Sequence, residues 1–450
     1  MTKNFLILRN ERRNKRRINM ETRTTVCPSC GGKVVFDPTL GKVKCEFCGT
    51  EFTPAKIDEA WSGNEEISSA PVALEEFGVD EMRSYSCSGC GAELMADLNT
   101  AVLQCPYCGN HSIVPAQLSG SLRPNFIIPF SYTKEQAMEK YREFTKKRFL
   151  LPLSFRRNSH IEEMQGVYVP FWLFDGRVNM TGDYLADDKT DHGSDKDILD
   201  VISDLDPLSF KVHREGSMNY RKVPADASRR MEDKLMDSIE PYELDKLKGF
   251  SPSYLPGFLA ERYDVSMEEC RERAHERIEN TMRSKVRDTI KHNTIAHRAE
   301  DFEYSGEQAS YAMFPVWTLV TRWGGKTCKF AMNGQTGRMV GDLPVSPFRM
   351  MALLIPLFLG ILFVGLLVMA AIDAEMPAAF FAYLIVPVFV CVFVGILLYS
   401  GMKSVEKAES ASKYMTGSMK LTGSHEEVVG IAGAKKFIKE TKNQKKKTKT

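Results

Sequence analysis

The stretch CPSC at residues 27–30, followed by CEFC at residues 45–48, decides the organisation of the first quarter of this chain. The pattern returns 60 residues later as CSGC at 87–90 and CPYC at 105–108, with fourteen residues between the paired motifs in both copies. A CxxC turn places two thiolates on one tetrahedral ion, and a second turn closes the site. The spacing therefore predicts two zinc ribbons with two structural Zn²⁺ ions per chain, ligated by Cys27, Cys30, Cys45, Cys48, Cys87, Cys90, Cys105 and Cys108.

Disulfide bonds and a redox CxxC are the alternative uses of these cysteines. Disulfides need an oxidising compartment, and the only early apolar run, Phe5–Leu8, is too short for a signal peptide. A redox CxxC usually occurs once, within a βαβ pattern, and that pattern is absent. Zinc thiolates are therefore the favoured interpretation.

Residues 1–24 are predicted to be a basic N-terminal arm. Met1–Asn19 carries seven Lys and Arg residues, which suits an arm that binds nucleic acid or lipid. A true start of translation at Met20 is an equally open interpretation.

Two apolar stretches near the C-terminus predict a transmembrane hairpin. Residues 350–372 and 378–400 are each 23 residues long, enough to cross a bilayer core. A buried core hairpin is the alternative, but two uncharged runs of this length favour the membrane. Lysine and arginine flank only the outer ends, and residues 403–450 hold twelve lysines against five glutamates. The positive-inside rule then predicts a multi-pass protein of the cell membrane with both termini in the cytoplasm.

The rest of the chain predicts an α+β multidomain protein: two N-terminal ribbons, a middle α+β domain with a β-meander, and the hairpin. Capping and hydrophobic period predict helices over Thr133–Phe149, Ala227–Ile239 and Ser266–His297. Strands are predicted over Val167–Phe174, Ala312–Arg322, Lys326–Met332 and Arg338–Val340, with Gly324-Gly325 and Asn333-Gly334 as turns. The predicted boundaries are ribbon 25–54, acidic linker 55–84, ribbon 85–116, α+β cytoplasmic domain 117–346 and Lys-rich cytoplasmic tail 401–450.

Together these features resemble the bacterial TFIIB-type zinc-ribbon-containing membrane proteins. Besides the two ribbons, the carrying segments are VYVPFWLFD at 167–175, LPGFLAERYDV at 255–265, Phe314–Leu319 and FAMNGQTGRMVGDLP at 330–344. Members are often labelled by analogy with the primosomal DNA helicase or an RNA polymerase zinc subunit. The resemblance implies a zinc-binding membrane protein but no settled activity.

No catalytic constellation emerges, and the prediction is that the protein is not an enzyme. Gly324-Gly325-Lys326-Thr327 fails as a phosphate-binding loop because Val320 stands where the motif needs glycine. A four-cysteine site also leaves zinc no open position for water.

Charge argues against nucleic acid as the ligand of the ribbons. Residues 87–108 contain no Lys or Arg, and four thiolates around one Zn²⁺ carry a net negative charge, whereas nucleic-acid affinity depends on basic contacts.

The predicted function is therefore a cytoplasm-facing protein-interaction module, a scaffold or sensor, whose protein partner the sequence does not name. Anionic lipid is a further partner for the Lys-rich tail, which could equally be merely solvated. A membrane-tethered nucleic-acid-binding protein is the alternative, and an enzyme with an unrecognised site is the third candidate.

Overall fold

The computed structural model describes residues 26–62, 83–96, 105–108, 113–116, 122–156, 164–187, 209–292, 294–323, 326–372, 377–402, 405, 408–429, 433–434 and 436–439. The predicted N-terminal arm, most of the acidic linker, the Gly324-Gly325 turn and the hairpin connector lie outside these residues.

The secondary structure alternates short strands with a few long ones. In chain order the strands are Val34–Asp37 (β1), Lys42–Cys45 (β2), Glu51–Phe52 (β3), Arg83–Cys87 (β4), Glu93–Ala96 (β5), Ile113–Ala116 (β6), Phe126–Ile127 (β7), Gln165–Asp187 (β8), Ser209–Asp226 (β9), Lys248–Gly249 (β10), Leu259–Glu261 (β11), Thr294–Trp323 (β12), Lys326–Asn333 (β13), Met339–Gly341 (β14) and Met415–Val429 (β15). The helices are Pro54–Ser62 (α1), Lys134–Lys146 (α2), Leu153–Arg156 (α3), Asp233–Ile239 (α4), Met267–Arg287 (α5), Pro347–Ile372 (α6) and Pro377–Ser400 (α7).

The chain divides into two compact units, each built from three chain segments. Unit 1 comprises Met1–Pro170, Ser228–Asp264 and Ala312–Lys407. Unit 2 comprises Phe171–Ala227, Val265–Tyr311 and Ala408–Thr450. The predicted middle domain, residues 117–346, therefore contributes to both units.

Unit 1 holds both cysteine-rich segments. β1, β2 and β3 form a small antiparallel sheet in that order. A second sheet runs in the order β10-β7-β12-β8-β11-β5-β4-β6, and β13 and β14 continue from β12. The pairing of Val316 with Asn333 through Trp323 with Lys326 confirms the predicted β-meander.

Local signals explain α2 well and two other helices only in part. The Thr133 hydroxyl accepts from the Gln136 amide and the Gln136 side chain accepts from the Thr133 amide, which is the predicted capping box. The helix predicted to run to His297 ends at Arg287, because residues from Thr294 onward join β12. α4 begins at Asp233 and not at Ala227, since residues up to Asp226 belong to β9.

Unit 2 is an antiparallel sheet covered by one long helix. β9 pairs with β8 on one side and with β15 on the other. The α5 stripe Cys270, Ala274, Ile278, Met282 and Val286 is buried, which confirms its prediction as a packing seam.

Part of the predicted Lys-rich tail is folded, which the sequence did not indicate. β15 lies within the predicted tail, and Ala434, Phe437 and Ile438 pack with Leu185 in a buried cluster. Most side chains of β15 are exposed, so backbone pairing holds this strand without an alternating apolar pattern that a sequence could display. Residues 440–450 lie outside the described part of the chain.

α6 contains one segment, Pro347–Val368, that is long and apolar enough to cross a membrane, and none of it is buried in the protein. The described apolar part of α7, Ile385–Ser400, is shorter. A Cβ on Gly395 would lie 3.6 Å from Leu354 Cδ1, so the two helices approach closely at this glycine.

Candidate metal centres

The first cysteine cluster has the dimensions of a tetrahedral metal site. The Cys27 and Cys48 sulfurs are 3.7 Å apart, and those of Cys30 and Cys45 are 3.5 Å apart. Four sulfurs at the usual Zn–S distance of a tetrahedral site would be about 3.8 Å from one another. A disulfide would bring two sulfurs to about 2.05 Å. The four thiols therefore fit one metal ion and are not joined in pairs.

The second cluster repeats this geometry. Cys87 and Cys108 have sulfurs 3.7 Å apart, and the Cys90 and Cys105 sulfurs are separated by 3.6 Å. All four ligand atoms of each cluster lie within 4.8 Å of one another, so the eight predicted ligands fall into the two predicted sets. Both clusters could hold a metal ion, and their all-sulfur donor set suits zinc.

Glycines form the turns that direct the thiols inward. Gly31, Gly49 and Gly91 have φ of 72°, 71° and 69°, a region that side chains rarely adopt. Each amide donates to the carbonyl of the cysteine four residues earlier, at 2.8, 3.1 and 2.7 Å respectively. Three CxxC motifs thus share one turn, and the fourth, before Gly109, ends outside the described residues.

The clusters differ in solvent exposure. In the first, Cys30 and Cys48 are exposed, whereas in the second Cys90 and Cys108 are only half-exposed. The Thr50 hydroxyl lies 3.1 Å from the Cys48 sulfur, and hydrogen bonding from Thr50 lowers the pKa of that thiol to about 6.

A buried carboxylate joins the second cluster to the rest of unit 1. Tyr107, inside the CPYC motif, donates its hydroxyl to Glu261 Oε2 at 2.6 Å, and Ser228 donates to Glu261 Oε1 at 2.8 Å. Burial, with the Glu261 carboxylate nearby, raises the pKa of Tyr107 well above its usual range, so the hydroxyl keeps the proton that it donates. No local sequence pattern indicates this contact, because 154 residues separate the partners.

Arginine side chains stabilise the CSGC turn, residues 87–90, of the second cluster and the strand that follows it. Arg230 donates to the carbonyl oxygens of Cys90 and Gly91, the latter at 2.9 Å, and forms an ion pair with Asp264. Arg262 bonds Glu93 at 3.0 Å. Because β5 also pairs with β11, the second ribbon is part of the larger sheet of unit 1.

Replacement of Tyr107 by phenylalanine should lower the free energy of unfolding by about 1–3 kcal/mol, because Glu261 would lose a partner while staying buried. Urea unfolding of the detergent-solubilised protein measures the loss. Tyr132→Phe is the matched control, since it removes a longer bond of 3.4 Å to the Thr336 carbonyl at a half-exposed position. Equal losses in both variants would contradict a special role of the Tyr107–Glu261 contact.

A cleft of about 980 Å³ lies beside the first cluster. One wall is the CEFC knuckle, where Phe47 is 81% exposed. Met164, Phe258 and Trp317, from distant parts of the chain, also line the cleft, and its charged lining residues are Asp37, Lys44, Glu46 and Lys134. The cleft is mostly apolar with a few charged groups, as binding sites usually are. No local sequence pattern indicates this cleft, because its lining residues come from distant parts of the chain.

The other three cysteines are separate from both clusters. Cys270 is buried with its sulfur 3.3 Å from the Asp226 carbonyl oxygen, and burial raises the pKa of its thiol to about 11. Cys328 is buried in β13, and Cys391 lies 3.8 Å from the Leu354 carbonyl oxygen. The two four-cysteine groups are the only sets of three or more potential ligands among the residues that the structure describes.

Fold and site define the class: an α+β protein with two N-terminal four-cysteine centres and a long exposed apolar helix. The chain belongs to the same family as a Bacillus subtilis (strain 168) protein named "Uncharacterized protein YdjG", with which it shares 32% identity over 336 residues. That match covers 71% of this chain and 89% of the relative. No family model matches the sequence, and no solved structure matches it. The resemblance to TFIIB-type ribbon proteins thus stays a prediction.

Proposed function

We propose that this protein is a membrane-anchored, cytoplasm-facing zinc-ribbon protein, of the TFIIB-type group that its sequence resembles, that binds a protein partner as a scaffold or sensor. Each four-cysteine centre holds one structural Zn²⁺. The carrying observation is the cleft beside the first centre, where Phe47 is largely exposed on a knuckle that zinc would hold rigid. Exposed aromatic side chains beside concave apolar surfaces are typical of protein-binding sites.

In this proposal the zinc ions stabilise the fold of the ribbons and take no part in a reaction. Bound zinc would supply folding free energy to each ribbon and no reactive position, because four thiolates complete its tetrahedral shell. The CEFC turn forms both half of the first centre and one wall of the cleft. Occupancy of that centre therefore sets the shape of the binding surface, which is what a zinc-dependent or redox-dependent sensor requires.

Membrane anchoring rests on α6 and α7. Their apolar side chains point outward, as at Phe363 and Phe389, which are 62% and 72% exposed. An apolar surface of this size is unfavourable in water and is stable when lipid acyl chains surround it. An even number of crossings is supported by unit 2, since β15 follows α7 yet pairs with β9, which precedes α6. Chain on both sides of the helices then shares one compartment, so either both helices cross or neither does. The long exposed apolar segment of α6 favours two crossings.

The cytoplasmic orientation rests on charge. Arg349 precedes the first apolar stretch and twelve lysines follow the second, whereas the connector carries only Asp373 and Glu375. Lys and Arg remain on the cytoplasmic side. The cytoplasm also keeps cysteines reduced, as thiolate ligation of zinc requires.

The binding proposal is tested with a photo-crosslinking residue in place of Phe47 in the full-length protein in cells. Leu40 on the same ribbon is the matched control, because it is 48% exposed but does not line the cleft. Position 47 should give a discrete protein adduct, and position 40 should not. Zinc-ligand loss by Cys45→Ser should abolish the adduct. Adducts of equal yield at both positions, or adducts to nucleic acid, would contradict the proposal, and the second outcome would favour the nucleic-acid alternative.

A further inference from the structure

The segment that connects α2 to α3 lies against the N-terminal end of α6 and the C-terminal end of α7. The sequence FTKKRFLLPLSFRR at residues 144–157 contains five basic residues and no acidic one. We propose that Lys146–Leu153, together with Phe348, forms an interfacial surface that binds anionic phospholipid headgroups of the bilayer in which the hairpin sits. This inference rests on the proposed membrane anchoring, and it concerns a different part of the chain from the Lys-rich tail.

Apolar side chains in this segment face solvent although buried positions lie beside them. Phe149 is 57% exposed and Leu153 is 59% exposed, whereas their neighbours Leu150 and Leu151 are buried. Phe348, in the first turn of α6, is 80% exposed. The exposed side chains of Phe149, Leu153 and Phe348 therefore form an apolar rim that projects from the protein. Aromatic and aliphatic side chains of this kind insert into the boundary between headgroups and acyl chains.

Hydrogen bonds fix the level of this rim relative to the apolar helices. Arg349, the last basic residue before the apolar stretch, donates to the carbonyl oxygens of Phe149 at 2.8 Å and Leu151 at 2.9 Å. The Ser346 amide donates to the Leu150 carbonyl at 2.9 Å. Arg148 donates to the Gly401 carbonyl, one residue after α7 ends. The segment is thus joined to both helices at the point where each one enters the apolar region.

The positive charge of this surface indicates that its ligand is an anionic lipid headgroup. Lys146 and Lys147 are exposed, and the Arg148 and Arg349 guanidinium groups lie within the same segment and at the helix base. Basic groups near an anionic bilayer surface each contribute about 1 kcal/mol. A headgroup layer meets both requirements at this level, since its phosphates pair with the lysines while its acyl boundary covers Phe149, Leu153 and Phe348. A protein partner would match the apolar rim, but the basic side chains beside it favour a phosphate-bearing surface.

The experiment uses full-length protein with Phe149→Trp, reconstituted in vesicles of phosphatidylcholine alone or of equal parts phosphatidylcholine and phosphatidylglycerol. A fraction of the lipid is brominated near the glycerol end of its chains, and quenching of the added tryptophan is measured. Leu40→Trp is the control, because Leu40 is similarly exposed on the first ribbon. Zinc content in both variants verifies that the ribbons are folded.

Quenching at position 149 should be several-fold stronger than at position 40 in the mixed vesicles and weaker in phosphatidylcholine alone. Joint replacement Lys146→Gln and Lys147→Gln should remove most of the difference between the lipids while the protein still resists alkaline extraction. Equal quenching at positions 149 and 40 in alkali-resistant protein would overturn the interfacial surface alone. Quenching that ignores phosphatidylglycerol would overturn headgroup recognition. Release by alkali would instead overturn the membrane anchor itself.

Discussion

Cys105→Ser should remove one zinc ion and destabilise unit 1 as a whole, whereas Cys27→Ser should remove one zinc ion and unfold only the first ribbon. The difference follows from how each ribbon is built into the fold. β4 and β5 belong to the large sheet through β11, and Tyr107 bonds the buried Glu261. β1–β3 form a separate three-stranded sheet. Because a structural zinc site contributes about 10–16 kcal/mol of apparent binding free energy, loss of either ion should abolish its ribbon.

Metal analysis with limited proteolysis of the detergent-solubilised variants measures both effects. Cys27→Ser should give cleavage near the first ribbon and leave a resistant remainder of unit 1, and Cys105→Ser should give cleavage throughout. Ser29→Ala and Ser88→Ala change residues inside two CxxC turns without removing a ligand, and they serve as controls. Identical cleavage patterns in the two cysteine variants would contradict the unequal roles of the ribbons. Less than one zinc ion per wild-type chain would contradict both sites.

A cysteine at Ala374 should react with a membrane-impermeant thiol reagent in intact cells, and a cysteine at Ser412 should not. Ala374 lies in the acidic connector between the apolar stretches. Ser412 is exposed just before β15, whose pairing with β9 requires it to stay on the side of unit 2. In the proposed two-crossing topology, the connector would face the outside and the rest of the chain would face the cytoplasm.

Permeabilised cells control for reactivity, because both positions should be labelled once the reagent can enter. Labelling of Ser412→Cys but not Ala374→Cys in intact cells would invert the orientation. Labelling of both would mean that the helices do not form a two-crossing hairpin. Inversion would also place the cysteine clusters in an oxidising compartment, where zinc thiolates are disfavoured.

The parts of the fold that sequence predicts are those with a local signal. Cysteine spacing predicts both clusters, the Thr133 to Gln136 spacing predicts the start of α2, and the turns predict the meander. Each signal lies within a few residues of its consequence.

The parts that sequence misses depend on contacts between distant residues. β15 is a strand because β9 offers a free edge, and its exposed side chains leave no alternation to detect. Glu261 lies in the segment LPGFLAERYDV, which marks the family resemblance, but its role appears only when Tyr107 and Ser228 are brought to it. The cleft likewise needs the first ribbon and Trp317 to meet.

The pairing of β15 with β9 also has a consequence for the order of biosynthesis. β9 is translated well before α6 and α7, and β15 is translated after both. Until residues 415–429 leave the ribosome, β9 therefore exposes an unpaired edge, which is prone to pairing with other chains. Unit 2 can reach its final form only after α6 and α7 have been translated, which in the proposed anchoring means after the hairpin has reached the bilayer. A nascent chain that is truncated after α7 should therefore be inserted in the membrane but prone to aggregation. In membranes from pulse-labelled cells, unit 2 of such a chain should be degraded by added protease.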